Sequence, residues 1–140
     1  MSIGSRRHFL ASALGALASS FPFAGRLAAL RRRWPSVDHP TPRPGITAAK
    51  VLTAEQLADT PQVIPVFDSV RAIPEIVDGI RCKCGCAEIE GFYSLLSCYE
   101  GDGMARHCPI CQGEGRMAAR LHKEGKSLDQ IREAIDARWG

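Results

Sequence analysis

Six cysteines are the residues of this chain whose type and spacing allow chemistry. In a sequence of 140 residues, all of them fall between positions 82 and 111. Thiolates are soft ligands that select copper(I), zinc or iron–sulfur clusters over hard cations. The clustering therefore predicts a soft-metal site, with copper(I) as the first expected ion and zinc as the second. The candidate metal ligands are Cys82, Cys84, Cys86, Cys98, Cys108 and Cys111.

The segment CKCGC, from Cys82 to Cys86, is the densest part of this pattern. In an extended stretch its alternate side chains share one face, and Gly85 supplies the backbone freedom to bend two thiolates toward one ion. Metal–sulfur bonds of about 2.3 Å need ligands only a few ångströms apart, which this spacing offers. A redox enzyme needs only a pair of cysteines, and a zinc site with four thiolate ligands would leave two of the six cysteines without a role. A multi-copper thiolate cluster, in contrast, can use all six as ligands.

The pair Cys108 and Cys111 leaves other chemistries open. Pro109 suits the first position of a helix, which would place Cys108 at the helix cap and Cys111 in the first turn, where the dipole favours a thiolate. Such a C-x-x-C pair can bind a metal, exchange disulfides or form a structural bridge, and the spacing alone does not choose. A disulfide-stabilised adaptor is a third class, in which each cysteine of residues 82–86 needs a distant partner. His107 is a candidate further ligand, with a solvated loop histidine as the simpler interpretation.

Short helices on both sides of the thiols must position them. N-terminal to the cysteines, apolar residues at i, i+4, i+7 and i+11 define one helical face, and Pro74 interrupts it. This pattern predicts either a kinked helix or two short helices, the second beginning at Pro74 and ending at Gly79. The apolar residues are Val66, Val70, Ile73 and Val77.

C-terminal to CPIC, a second stripe of residues at helical spacing predicts a helix that is capped at its C-terminal end by Gly125. Ser127 begins a further helix with Gln130 in capping-box register, and the two helices predict a hairpin joined by EGKS. The predicted fold class is therefore all-α, a small cysteine-rich helical domain that ends in a helical hairpin. The two apolar stripes consist of Ile110, Glu114, Met117, Ala118 and Leu121, then of Leu128, Ile131, Ile135 and Trp139.

The N-terminal segment resembles a twin-arginine export signal. SRRHFL carries Arg6 and Arg7 ahead of a short run of small and apolar residues without any acidic residue. The resemblance implies export in the folded state, so that thiols already filled with metal would reach an oxidising compartment protected. The expected location is periplasmic or otherwise extracytoplasmic, with membrane contact only through this signal segment.

Residues 31–62 are predicted to be an extended, Pro-rich linker, because four prolines in their first part disfavour both helix and strand. His39 is interpreted as a linker residue. The expected division of the chain is a twin-arginine-type signal segment at 1–30, the linker at 31–62 and the cysteine-rich helical domain at 63–140.

Charge and motif content argue against several function classes. The net charge of +3 comes from Arg6, Arg7 and Arg26, since residues 1–30 contain no acidic residue and the rest of the chain is neutral. A neutral body gives no electrostatic basis for binding nucleic acid, so no nucleic-acid partner is expected. Paired carboxylates, a nucleophile elbow and a phosphate loop are all missing from the sequence, and a catalytic role is therefore not the first expectation.

The order and spacing of these motifs resemble the bacterial proteins named for a PCYCGC motif, many of them exported or lipoproteins. The resemblance runs from about Pro65 to the end of the chain and implies a cysteine-rich metal-binding domain. Arg81 and Lys83 stand where the name-giving motif has Pro and Tyr, and Phe92 stands where the family often has a histidine. No cysteine precedes Cys82, so the lipid anchor of the lipoprotein members is not expected. The resemblance rests on Pro74-Glu75, CKCGC, Ser94-Leu95, Cys98-Tyr99, CPIC, Glu124-Gly125-Lys126-Ser127, Ile131-Arg132 and Ile135-Asp136.

The last quarter of the chain is also similar to the start of the cytochrome c maturation thiol-reductase subunits. Those subunits have R-C-P-x-C-Q, a helix, a Gly-Lys-Ser turn and a final helix ending in Arg-Tyr-Gly. This similarity implies a thiol–disulfide oxidoreductase, or related thiol handling, with Cys108 and Cys111 as the catalytic pair, and it gives no role to the cysteines from Cys82 to Cys98. The leading hypothesis remains an exported, non-catalytic metal-handling protein. Its expected partners are the metal ion and a protein that donates or accepts the metal.

Overall fold

The computed structural model describes residues 38–140, so the predicted signal segment and its twin arginines lie outside the described residues. Within residues 38–140 there are four α-helices and no strand, which confirms the predicted all-α class. No helix in this part of the chain is long and apolar enough to span a bilayer. The α-helices are α1 Ile64–Arg71, α2 Pro74–Asp78, α3 Pro109–Lys123 and α4 Leu128–Trp139. Short 3₁₀-helices lie at Pro61–Val63, Cys86–Glu88, Leu95–Tyr99 and Met104–Arg106.

Pro74 divides the first apolar face into two helices, one of the two outcomes that the sequence predicted. α1 ends at Arg71, and Pro74 occupies the first position of α2, where its missing N–H breaks no helical hydrogen bond. Gly79 is the C-cap of α2. α1 packs on α3, and α2 packs on the 3₁₀-helix Leu95–Tyr99. The buried members of the face are Val66, Val70 and Val77.

α3 and α4 form the predicted helical hairpin. The turn between them closes with a hydrogen bond from Lys126 N to the Leu121 carbonyl at 3.0 Å. Ser127 caps α4, because its side chain accepts from Gln130 N while the Gln130 side chain accepts from Ser127 N. The hairpin is held to the rest of the core by buried apolar side chains. They include Ala118, Leu121, Ile131 and Ile135.

Tyr99 joins three elements at the centre of the core. Its ring meets Phe67 of α1 edge-on, with 4.7 Å between the ring centroids. Its hydroxyl donates to the Cys111 carbonyl in α3 at 2.7 Å. Gly115 makes this approach possible, because a Cβ at that position would overlap the Tyr99 hydroxyl. The 3₁₀-helix Leu95–Tyr99 is thereby fixed against both α1 and α3.

The segment predicted to be a linker contributes to the core. Val51 and Leu57 are 2% and 0% exposed. Leu52 N donates to the Tyr99 carbonyl at 3.1 Å, and the Arg71 guanidinium donates to the Leu52 carbonyl. Val51 and Leu52 are adjacent and Leu57 stands alone, so these apolar residues are too few to show the helical or strand period that marks a buried element. The packed part of the structure therefore starts before residue 63.

A buried carboxylate attaches this segment to the helices. Asp78, at the end of α2, is fully buried and accepts hydrogen bonds from the Arg43 guanidinium at 2.7 Å and from Arg43 N at 2.8 Å. Ser94 Oγ donates to the same carboxylate at 2.8 Å. Burial alone would raise the pKa of Asp78, but these hydrogen bonds outweigh burial and lower the pKa. We call Asp78, Arg43 and Ser94 the carboxylate node.

Candidate metal centre

The CKCGC segment folds into a turn instead of the extended stretch considered from the sequence. Residues 83–85 form the turn, and the 3₁₀-helix Cys86–Glu88 follows it. Gly85 permits this path because its φ is +91°, in the left-handed region that favours glycine. The turn brings Cys82 Sγ and Cys84 Sγ to within 3.3 Å of each other. The extended geometry was therefore wrong for these residues, although the bend expected at Gly85 is present.

Cys98 reaches the same place from the 3₁₀-helix Leu95–Tyr99. The start of this helix is held beside the CKCGC turn, because Leu95 N donates to the Ile80 carbonyl at 2.7 Å. Cys98 Sγ consequently lies 3.1 Å from Cys86 Sγ. Two thiols that are twelve positions apart in the sequence thus become neighbours in the core.

Cys108 and Cys111 stand at the start of α3, as the sequence predicted. Cys108 is the N-cap and its Sγ accepts a hydrogen bond from Cys111 N at 3.5 Å, while Pro109 is the first helical residue. Cys111 is fully buried, and its Sγ lies 3.5 Å from both Cys82 Sγ and Cys84 Sγ. The N-terminal dipole of α3 favours negative charge on sulfurs placed in this way.

All six thiols therefore meet in one cluster, and all six cysteines are free. Two groups within it are compact enough to hold an ion, because in each group the Sγ atoms all lie within 4.8 Å of one another. A tetrahedral ion with metal–sulfur bonds of about 2.3 Å needs sulfurs about 3.8 Å apart, so both groups are close to the required spacing. We call them the buried set, with Cys82, Cys86, Cys98 and Cys111, and the outer set, with Cys84, Cys108 and Cys111.

The two sets hold thiols of different acidity. Burial raises the pKa of the Cys86 thiol in the buried set. Burial also acts to raise the pKa of Cys84 in the outer set, but hydrogen bonds from Cys86 N and from neighbouring thiols outweigh it, and the pKa of Cys84 is lowered. The outer set therefore contains a thiol that loses its proton more readily than its buried neighbour.

Glu114 of α3 supports the turn, a role that the sequence analysis missed. This side chain is fully buried, and its Oε1 accepts a hydrogen bond from Lys83 N at 2.8 Å. Its Oε2 has no hydrogen-bond partner within residues 38–140. Burial raises the pKa of Glu114. The signal available in the sequence was a carboxylate placed within the apolar stripe of α3.

His39, within the predicted linker, also contacts the turn. Its Nδ1 accepts a hydrogen bond from Arg81 N at 2.9 Å, and its Nε2 lies 3.1 Å from Asp136 Oδ1 in α4. Lys83 Nζ lies 2.6 Å from the same Asp136 oxygen. Burial lowers the pKa of His39, which favours the neutral ring. The turn that carries three of the thiols is thus held by His39 to the predicted linker segment and by Lys83 to α4.

The candidate ligand His107 lies outside both sets, as do four other residues of the helical domain. His107 and His122 are exposed, and neither belongs to the groups of potential ligands found in residues 38–140. Tyr93 is 44% exposed at the surface. Phe92 and Met104 are half-buried and pack against the core, so the structure places them as packing residues.

Fold and site together define residues 38–140 as a small all-α domain in which short helices enclose a cluster of six thiols. The chain belongs to the family described as "Protein of unknown function with PCYCGC motif", which matches residues 46–140. No curated protein and no solved structure matches the chain significantly. The family match includes every cysteine of the cluster, and it begins within the segment that was predicted to be a linker.

The two residues that depart from the family motif, Arg81 and Lys83, make specific contacts in the structure. The motif has a proline where this chain has Arg81, and a proline has no N–H to donate. Here Arg81 N binds His39, while Lys83, at the tyrosine position of the motif, binds Asp136. Both changes therefore contribute to the same network between His39 and Asp136.

Proposed function

We propose that this chain is a metal-binding protein that holds a soft metal ion in its thiol cluster, with copper(I) as the first ion and zinc as the second. The observation that carries the proposal is the buried set, four thiols from three separate segments whose Sγ atoms all lie within 4.8 Å of one another. Four sulfurs that converge at this spacing match the coordination geometry of a single ion.

The donor atoms favour a soft cation. Among residues 38–140, both sets consist of sulfur alone, without imidazole or carboxylate. Thiolates select copper(I) and zinc, whereas imidazole and carboxylate ligands suit a wider range of metals. A single zinc ion in the buried set would leave Cys84 and Cys108 unused, and for this reason copper(I) is placed first.

The ion would connect the elements that carry its ligands. Cys82 and Cys86 belong to the CKCGC turn, Cys98 to a 3₁₀-helix and Cys111 to α3. Thiols bind metals as thiolates, and burial raises the pKa of Cys86, so binding releases protons. Because the unfolded chain does not bring these thiols together, metal binding stabilises the folded state.

Export and a protein partner for the metal are further parts of the proposal. The support for export is the sequence SRRHFL with Arg6 and Arg7, which lies outside the described residues. Fractionation of cells that express the full chain tests the route. The wild-type protein is expected in the extracytoplasmic fraction, whereas the pair Arg6→Lys and Arg7→Lys retains it in the cytoplasm. Equal distribution of both proteins would contradict twin-arginine export.

Elemental analysis and native mass spectrometry of anaerobically purified protein test metal binding directly. The expected result is copper or zinc bound to a chain with six reduced cysteines, and loss of that mass after chelation. A metal-free chain with three disulfides would defeat the proposal and favour a disulfide-stabilised adaptor. Ala118→Ser is a matched control for cysteine-to-serine variants, because Ala118 is fully buried on α3 and carries no sulfur.

Thiol–disulfide exchange through Cys108 and Cys111 is the second candidate function. It is favoured by the half-buried position of Cys108 at the N-cap of α3, with its Sγ 3.5 Å from Cys111 N. This function predicts that Cys108→Ser abolishes turnover of a thiol substrate while Cys84→Ser does not. Equal loss of bound metal from both variants, without any turnover in the wild-type protein, would exclude it.

A further inference from the structure

The two sets of thiols differ in exposure and share one sulfur atom. The members of the buried set are at most 3% exposed, whereas Cys84 and Cys108 of the outer set are half-buried. Cys111 belongs to both sets. Its Sγ lies 3.5 Å from Cys82 Sγ in the buried set and 3.5 Å from Cys84 Sγ in the outer set. Cys111 therefore occupies the boundary between the two.

We propose that the cluster holds two soft metal ions bridged by the Cys111 sulfur, a resident ion in the buried set and an exchangeable ion in the outer set. This inference rests on the proposed function. A thiolate sulfur has more than one lone pair and can coordinate two soft ions at once. With Cys111 shared, all six cysteines become ligands and no thiol of the cluster is left idle.

The surroundings of the outer set permit exchange. Its half-buried thiols lie beside residues at the surface, because Gly85, His107 and Pro109 are all exposed. Three thiols give the outer ion fewer sulfur ligands than the four of the buried set, so an incoming ligand can bind before the ion departs. A small chelator, or a thiol of the protein that accepts the metal, can therefore reach this ion while the helices stay folded.

The buried set has the opposite properties. Its four sulfurs complete the coordination of one ion, and the elements that carry them are held together by buried hydrogen bonds. The Tyr99 hydroxyl bonds the Cys111 carbonyl at 2.7 Å, and Leu95 N bonds the Ile80 carbonyl at 2.7 Å. An ion in this set leaves only when the turn or the 3₁₀-helix separates from α3. Its release is therefore limited by local unfolding.

Stepwise removal of copper(I) tests whether the cluster holds one resident and one exchangeable ion. The full chain is loaded anaerobically with copper(I) and treated with bathocuproine disulfonate, a copper(I) chelator, and the bound copper is followed by native mass spectrometry. The wild-type chain is expected to carry two copper ions and to release one of them faster than the other by roughly tenfold or more. Cys84→Ser and Cys108→Ser, each confined to the outer set, are expected to remove the fast phase and to retain one slowly released ion.

Cys98→Ser is the complementary variant, since Cys98 belongs only to the buried set. It is expected to abolish the slow phase, while the matched control Ala118→Ser keeps both phases. Should circular dichroism show that Cys98→Ser does not fold, the two outer-set variants decide the question alone.

Each remaining outcome has a defined meaning. Release of both ions in one phase, or the same effect of Cys108→Ser and Cys98→Ser on both phases, overturns the division into resident and exchangeable ions. A wild-type chain that binds one ion overturns the two-ion inference and leaves the proposed function standing. A reduced chain that binds no copper or zinc overturns the proposed function itself.

Discussion

The 3₁₀-helix Leu95–Tyr99 joins two buried polar sites that balance their charge in different ways. Ser94, at its start, belongs to the carboxylate node, where Asp78 accepts hydrogen bonds from the Arg43 guanidinium. Cys98, within it, belongs to the thiol cluster, where the hydrogen bonds run mainly from sulfur to sulfur. The node contains its own cation. Ionised thiols would repel one another, and the metal ion that we propose would supply the balancing positive charge.

This difference separates a structural site from a candidate metal-binding site. Both sites hold together segments that are distant in sequence. The node holds residues 35 positions apart by an internal ion pair, and we expect its contribution to stability to be independent of metal. The cluster is expected to contribute most of its stabilisation only when an ion is bound.

The largest expected effect is the loss of metal-dependent stability in Cys111→Ser. For a ligand at about 1,000 times its dissociation constant, binding to the folded state adds about 4 kcal/mol to the free energy of unfolding. Cys111 belongs to both sets, so its substitution disrupts both sites. Denaturant unfolding with and without copper(I), under anaerobic conditions, measures the increment for each protein.

The control for this measurement is Ala118→Ser, which is expected to keep the full increment. The increment, and not the stability of the metal-free protein, is the quantity to compare, because any substitution of a buried residue also changes packing. An undiminished increment in Cys111→Ser would show that this sulfur is not a ligand.

The next largest effect is expected at the carboxylate node. Asp78→Ala removes the acceptor of the Arg43 and Ser94 hydrogen bonds, and breaking a buried ion pair of this kind costs about 3 kcal/mol. The Arg43 side chain is 40% exposed, so it can turn to solvent, and the estimate lies at the low end for a buried pair. Denaturant unfolding of the metal-free protein measures this loss.

The same variant tests the separation of the two sites. The copper(I)-dependent increment of Asp78→Ala is expected to equal that of the wild-type protein, since no ligand is changed. A variant that loses both baseline stability and the increment would show that the node and the cluster act as one cooperative unit.

A smaller effect is expected in the acid dependence of stability. The folded-state pKa of Asp78 is lowered, because the Arg43 and Ser94 hydrogen bonds outweigh burial. A carboxylate with a lowered pKa contributes stability above its unfolded-state pKa of about 3.9, and the contribution is lost as pH falls from there through the folded-state pKa. Stability of metal-free protein is therefore expected to fall more steeply below about pH 4 in wild type than in Asp78→Asn.

Asp136 also has a lowered pKa, from its contacts with Lys83 and His39, so some acid dependence is expected to remain in Asp78→Asn. The difference between the wild-type and Asp78→Asn curves of stability against pH gives the contribution of the carboxylate node. Parallel curves from pH 7 to pH 3 would show that the ion pair of Asp78 does not survive in solution.

The helices could be predicted from the sequence because their signals are local. Pro74 marks the start of α2, and Ser127 with Gln130 marks the start of α4 within a few residues. The contribution of the predicted linker depends on contacts between distant residues. His39 meets Asp136 across 97 positions and Arg43 meets Asp78 across 35, and no local pattern encodes either contact.

The candidate site was predictable in composition and not in arrangement. The clustering of six cysteines predicts that thiols gather, and the C-x-x-C pair predicts Cys108 at the cap of α3. The division into two sets depends on the turn at Gly85, which replaces the alternation expected of an extended stretch. Glu114 was missed because its place in an apolar stripe indicated packing, whereas the structure uses its carboxylate to hold Lys83 N.

The smallest predicted effect concerns the backbone of that turn. Gly85 and Gly91 both have positive φ, +91° and +93°, and an added Cβ would meet no atom within 4 Å at either position. Alanine at each position is therefore expected to cost about 1 kcal/mol in unfolding free energy from backbone strain alone. Only Gly85 lies between the thiols, so Gly85→Ala is also expected to weaken copper(I) affinity in chelator competition, while Gly91→Ala leaves it unchanged. If Gly85→Ala binds copper(I) as tightly as Gly91→Ala and the wild-type protein do, the thiol spacing does not depend on the turn.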